Sequence, residues 1–277
     1  VKKALTALGA ILSDAQERGL CTRNAVKEMS RRKNGSEKRS KKLLQVGVDI
    51  PTPEEIKAFL GALKGRWRLI LLTAVFTGLR SSELRGLRWR DVDFAKNEIS
   101  VRQRSDRYGD IGDTKSHSSQ RTLPVPAAVM MALKEWKLAC PTGELAFPNG
   151  QGNQESHANI VNRGLIPTMK AAGLTIDTGK KDDEGKPILA ARYKGLHDLR
   201  HFYASRLIAS GANVKVVQAR LRHASASTTL DTYSHMLPDS TGILEHDTSK
   251  KANVAINLLL NAIDRKFDVN HTYELDL

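Results

Sequence analysis

The stretch Trp67 to Phe76, WRLILLTAVF, constrains the fold most. Apolar side chains lie almost all round it, so a helix here must be buried on nearly every side. Its apolar run, Leu69 to Phe76, is far too short to span a bilayer. It therefore needs other elements packed about it. A chain of 277 residues supplies enough of them for one large domain or two modest ones.

The flanking sequence shows what those elements are. Thr52-Pro53-Glu54-Glu55 predicts a helix over 52–63, with an N-cap, a first-turn proline and acids at the positive end of the dipole. Thr77-Gly78 breaks the apolar helix, and Leu79 to Leu84 begins another. Phe94 to Arg104 has strand character, with Ile99 and Val101 alternating; turn-rich residues 105–120 follow, and Arg121 to Val125 returns. This predicts a small antiparallel sheet of two or three strands. Helices are expected over 126–139, 156–172, 197–210 and 214–221, with Gly211 between the last two, and from Thr228 to Tyr233. Residues 140–155 read as a loop, and 173–192, with KKDDEGKP, as an exposed loop or hairpin. The class is mainly α with a small antiparallel β-sheet (α+β).

The ends differ from this body. Leu5, Leu8, Ile11 and Leu12 form one face of an amphipathic helix that Gly19 ends. One such helix cannot bury its own stripe and needs a partner. The chain opens at Val1, inside that helix, which predicts a fragment of a longer protein. Residues 30–45 read as a basic linker, either a solvated tether or a strap lying on phosphates through Arg31, Arg32, Lys33, Lys41 and Lys42. Ala252 to Ile263 predicts a late helix. The expected divisions are 1–47, 48–240 and 241–277.

Charge suggests the partner. Lys and Arg outnumber Asp and Glu by 44 to 30, a net +14, which favours a polyanion such as nucleic acid over mere solubility. The surplus is uneven: residues 1–45 hold twelve basic and four acidic side chains, whereas 241–277 hold four and six. Cys21 and Cys140 make neither a disulfide framework nor a metal-ligand spacing, and a reducing cytosol fits.

The chemistry-bearing segment is Leu196 to His235. His197 and Arg200 lie one helical turn apart, followed by His223 and Tyr233. Cleaving a phosphodiester without metal needs an oxygen nucleophile, guanidinium groups on the non-bridging oxygens, and groups that move protons. Arg80, Lys115 and Glu83 lie upstream. Alone, Arg80 reads as a helix-end arginine, Glu83 as half of a helical ion pair, and Lys115 as a solvated turn lysine with Lys96 and Lys134 as rivals. His197 and His201, four apart, have a zinc-like spacing. Arg200 beside them repels a cation, no third ligand is evident, and His201 reads as helix packing. Tyr203 reads as core, and Tyr193 is the other competitor of Tyr233.

Four segments in this order resemble the tyrosine recombinases, the integrases of phages and other mobile elements. They are TGLRSSELRGLRW (77–89), DTKSHSSQRTLPV (113–125), LHDLRHFYASRLIASG (196–211) and LRHASASTTLDTYSH (221–235). The resemblance covers roughly residues 50–240. It implies a recombinase catalytic-domain fold, preceded by the tail of a helical core-binding domain. It implies that Tyr233 forms a 3′-phosphotyrosyl link and frees a 5′-hydroxyl. Arg80 and Arg200 would clamp the phosphate, and Lys115 would protonate the departing oxygen. His197 would assist proton removal, His223 would hydrogen-bond the phosphate, and Glu83 would brace Arg80. One departure stands out: Leu221-Arg222-His223 occupies the place of the family's common Leu-Gly-His. Glycine there would suit a positive φ, while Arg222 adds a candidate phosphate contact.

The implied activity is site-specific recombination of double-stranded DNA at attachment sites, in a homotetrameric synaptic complex with room for accessory DNA-bending proteins. It needs no cofactor, no metal and no membrane, and it places the protein in the cytoplasm. The late helix would contact a neighbouring protomer. Two alternatives keep the fold: a type IB topoisomerase, or a DNA-binding regulator without activity.

Overall fold

In the computed structural model, residues 2–34, 43–106, 109–113, 120–223 and 225–237 are described, with backbone alone for Lys2, Lys3, 30–34 and Asp113. The chain divides into two compact units, Val1–Lys42 and Leu43–Leu277.

The first unit is a helical hairpin, α1 (Lys2–Glu17) and α2 (Ala25–Asn34). Gly19, at φ +71°, ends the first arm. Asn24 is buried at the corner: its amide donates to Gly9 O (2.8 Å) and Ser13 Oγ (3.0 Å), and its Oδ1 accepts from the Lys27 amide. The expected linker does not begin at residue 30. Arg31, Arg32 and Lys33 lie on the backbone of α2, because nothing before Gly35 breaks a helix. Within this unit α2 partners α1, yet Leu5, Leu8 and Ile11 stay exposed. Lys41, Lys42 and the helix expected over 252–263 lie outside the described residues.

The second unit is built round the apolar helix. α3 (Pro53–Gly61) starts with a full capping box, in which Glu55 N donates to Thr52 Oγ1 and Thr52 N donates to Glu55 Oε2. α4 (Trp67–Thr77) is buried from Leu69 to Thr77. It stops at Gly78, whose φ of +61° is the left-handed cap that glycine adopts without strain. Then come α5 (Ser81–Arg85), strands β1 (Val92–Asp93), β2 (Glu98–Val101), β3 (Gln103–Ser105), β4 (Ile111–Asp113) and β5 (Arg121–Pro124), and α6 (Ala127–Ala139). The strands make an antiparallel sheet, β1-β2-β5, and a separate hairpin in which β3, at the end of the stretch expected to be strand, pairs with β4, inside the stretch expected to be turns. Ile99 pairs with Val92 and Leu123, which puts the apolar residues on one buried face.

The 140–155 loop is held from inside the unit. Arg85 Nε donates to Glu155 O (2.7 Å), and the buried Glu155 carboxylate pairs with Arg66. The helix expected over 156–172 is continuous but changes pitch: α7 (His157–Asn159), a π-helical stretch Ile160–Leu165, and α8 (Ile166–Ala171). The wider turn accommodates Pro167, which lacks a donor for the ladder. The polar excursion is a hairpin, β6 (Thr175–Lys181) with β7 (Pro187–Ala191). Among the described residues, α9 (Leu196–Ala209), α10 (Val214–Leu221) and α11 (Ala226–Tyr233) follow. α4 packs against α9, α6 and the π-helical stretch, so it is the centre of the core.

Gly78 lies at the junction of core and site. A Cβ there would meet Tyr203 Cδ1 at 2.5 Å, on a backbone at positive φ. Gly78→Ala is expected to cost about 3 kcal/mol from overpacking and strain together. A melt monitored by circular dichroism should fall by roughly 5–10 °C for a unit of this size.

Candidate active site

The turn after α4 places the first arginine. Gly78 reverses the chain, and Arg80 becomes the N-cap of α5, its amide donating to Glu83 Oε2 at 2.9 Å. The Arg80 guanidinium donates to Glu83 Oε1 (3.2 Å) and to Arg222 O (3.0 Å). α9 presents the second. It buries Leu199, Phe202 and Tyr203, while His197, Arg200 and His201 share one face at positions i, i+3 and i+4. Arg200 is buried and donates to Gly78 O (2.5 Å) and to Leu221 O.

A third arginine, Arg121, went unassigned in the sequence. It opens β5 and forks onto Glu83 with bonds of 3.1 and 2.9 Å, while its Nε donates to Arg220 O at 3.0 Å. The cue was available. Arg121 alternates with Leu123 and Val125, which face the core, and an arginine on an inward face needs a buried anion. Glu83 is that anion, 2% exposed. It serves Arg121 and Arg80, with Arg222 at 3.8 Å.

Three successive carbonyls at the end of α10, those of Arg220, Leu221 and Arg222, thus each accept from a different guanidinium. These are the orphan acceptors at the negative end of a helix dipole. The chain turns there in a Schellman motif: His223 N donates to Gln218 O and Arg222 N to Ala219 O. Arg222 is the left-handed residue, at φ +52°, so the position where the family commonly has glycine does require positive φ.

That turn delivers His223, whose Nδ1 pairs with the buried Thr229 hydroxyl at 2.8 Å. Its ring lies parallel to Tyr233, with centroids 6.4 Å apart. Tyr233, at the end of α11, is 1% exposed, and its hydroxyl meets His201 Nδ1 at 2.6 Å. His201 is therefore more than helix packing. Its i, i+4 relation to His197 was legible, but its partner comes from another element. A 3-10 turn after Tyr233 is tied down by His235 and Leu44 O, 2.7 Å apart.

The electrostatics follow from burial among cations. Burial first, then Arg80, lowers the Arg200 pKa to about 10. Burial, with the charges of His197, Arg200 and His223, lowers His201 to about 4; burial, Arg200 and Arg80 do the same to His223. Both imidazoles are neutral at neutral pH. The His197 ring is exposed, yet desolvation by its surroundings, Arg200 and Arg80 lower its pKa too. Burial raises the Tyr233 pKa, opposed by Arg200, so the resting phenol is protonated.

The structure thus brings Arg80, Arg200, His197, His223 and Tyr233 to one place, with Glu83 beneath and Arg222 at the edge. Lys115 lies outside the described residues. Tyr193 is directed elsewhere, its hydroxyl bonded to Glu55 at 2.7 Å, and Tyr203 is packed under Gly78. Among the described residues no group of three or more His, Cys, Asp or Glu gathers to hold a metal ion, and no helix is long and apolar enough to cross a membrane.

The model of the phage integrase family matches residues 51–239. A "tyrosine recombinase XerC-like" protein of Caldanaerobacter subterraneus is 32% identical over 217 residues, covering 70% of this chain and 52% of the relative. The ICEBs1 integrase of Bacillus subtilis is 29% identical over 195 residues, covering 68% and 50%. The chain spans about half the length of these curated relatives. Among solved structures, the Tn1549 transposon integrase in complex with transposon right end DNA shares the fold. It gives a TM-score of 0.63 at 18% identity, covering 92% of this chain and 78% of that one. A crystal structure of XerA recombinase gives 0.52 at 19% identity, covering 92% and 76%. The family match spans the whole stretch from the capping box of α3 to the tyrosine that ends α11, and by it this chain belongs to the phage integrase family of tyrosine recombinases.

Proposed function

We propose that the chain is the strand-exchange portion of a site-specific DNA recombinase, acting through a 3′-phosphotyrosyl intermediate. The observation that carries this is the convergence of Arg80 and Arg200 on the adjacent carbonyls of Arg222 and Leu221, next to His223, whose ring lies parallel to that of Tyr233. Two guanidinium groups a residue apart fit the two non-bridging oxygens of one phosphate, and their charge grows in value as the phosphorus gains negative charge. Tyr233 supplies the nucleophile, His197 and His223 serve proton removal and the phosphate, and Lys115 the leaving oxygen. Because the covalent link conserves the bond energy, rejoining needs no nucleotide. Exchange between two duplexes takes four protomers on DNA.

The test is a duplex carrying the core site, selected from a randomised pool by binding, with a nick beside the cleavage point. In EDTA the chain should form a detergent-resistant adduct on the 3′ side of the break. A duplex that is bound and never captured would overturn the reading. Relaxation of plasmids lacking any such site would turn it toward a topoisomerase.

Arg222 gives a second test. Glycine is free of the strain that a side chain meets at this φ, worth about 1 kcal/mol. Arg222→Gly should hold or slightly raise the melting temperature. Binding titrations from 50 to 200 mM salt should show log K against log salt shallower by about 0.9, the loss of one phosphate contact.

A further inference from the structure

We propose that His201 is the general base for Tyr233: its Nδ1 takes the phenolic proton as the tyrosine oxygen attacks the scissile phosphorus. The inference rests on the recombinase reading above and assigns a role that reading leaves to His197.

The contact is direct. His201 Nδ1 and Tyr233 Oη are 2.6 Å apart, between two helices fixed in the same unit. The other imidazoles are placed differently. His197 meets His201 edge-on at 5.3 Å, one turn earlier on α9. His223 lies flat beside the tyrosine ring, its Nδ1 held by Thr229. His201 is the imidazole whose nitrogen lies on the reacting oxygen.

The step balances. The Tyr233 O–H bond breaks, and its proton goes to His201 Nδ1. The freed electron pair forms the Oη–P bond. The P–O5′ bond breaks with its pair on oxygen, which takes a proton from the general acid, Lys115 in the reading above. Rejoining runs the reverse course, with His201 returning the proton.

The groups facing His201 explain why transfer waits for substrate. They are His197 and Arg200 on its own helix, His223 after α10, Tyr233 on α11, and Asp49 ahead of α3. Burial, then the neighbouring His197 and Arg200, keep the imidazole a neutral acceptor, too weak a base to take the proton. A phosphate between Arg80 and Arg200 cancels part of that positive field, and the transition state, with more negative charge, cancels more. Basicity then rises at the moment of attack.

The test uses the full chain and the nicked core-site duplex. His201→Gln can still accept a hydrogen bond but cannot take a proton. Its single-turnover cleavage should fall by about 10²-fold or more at unchanged DNA affinity, and imidazole should partly restore His201→Ala. A rate for His201→Gln within about threefold of the parent would reduce His201 to a positioning role and overturn the proposal. With sulfur at the bridging 5′ position the leaving group departs without a proton, so the His201→Gln defect should persist; restoration by sulfur would place His201 on the wrong side of the reaction. A measurement on the parent chain avoids any folding defect in the variants. Its nitrogen-15 histidine spectrum should show His201 protonated on Nε2 and free on Nδ1, and the opposite tautomer would also overturn the proposal. If the parent chain never captures the duplex, the recombinase reading falls with it. Capture by the parent with full activity in His201→Gln removes this inference alone.

Discussion

Tyr233→Phe should bind the core-site duplex as the parent chain does and form no covalent adduct with it. The substitution removes one oxygen and leaves the ring stacked beside His223. Its structural cost is one hydrogen bond to His201, about 1 kcal/mol. Its chemical cost is complete, because no other tyrosine of the described unit is placed to replace it. The Tyr193 hydroxyl is spent on Glu55, and Tyr203 lies beneath Gly78 with its hydroxyl near Arg220. Labelled DNA on a denaturing gel reads the result directly. An adduct that survives the change would remove Tyr233 as nucleophile without touching the family assignment.

Glu83→Ala should be the most destabilising single change at the site, by about 3–5 kcal/mol, because it strands the nearly buried Arg121 and the half-buried Arg80 without their counter-ion. The carboxylate is 2% exposed and carries both prongs of Arg121, one of Arg80, and the Arg80 amide. Burial alone would raise its pKa. The hydrogen bonds and charge of Arg121, then the amide and charge of Arg80, outweigh burial and hold it at about 2. The folded value lies below the unfolded one, so this stabilisation is complete above about pH 4.5 and disappears as pH falls through about 2. The difference is worth roughly 3 kcal/mol. Glu83→Gln keeps the size and loses the charge, so its stability should flatten over that acid window. Denaturant titrations at pH 7 and pH 3 measure both effects. A loss below about 1 kcal/mol in Glu83→Ala would show that the arginines do not depend on it.

Much of this was legible because local chemistry and global packing agree. The apolar stretch Leu69–Phe76 left a helix nowhere to go but the centre, and Thr52-Pro53-Glu54-Glu55 wrote its own cap. The departure at Arg222 was visible as a wrong residue for a positive φ, and the turn has that φ. What escaped the sequence depended on partners far along the chain. Glu83 and Arg121 are 38 residues apart, and His201 and Tyr233 are 32 apart. Spacing on one helix shows which side chains share a face, not which face of another element meets them. The helical reach of α2 was missed for a simpler reason, since basic residues that suit a linker suit a helix equally well.

If the chain acts on DNA as proposed, the end of α10 has a consequence for how the duplex would be met. Three guanidinium groups rest there on neutral amide oxygens, and the single carboxylate of Glu83, shared by Arg121 and Arg80, leaves a surplus of positive charge. The work of crowding like charges together is done when the polypeptide folds. On the recombinase reading, an arriving phosphodiester would find its counter-ions already mustered and would answer the positive charge that Glu83 alone leaves over.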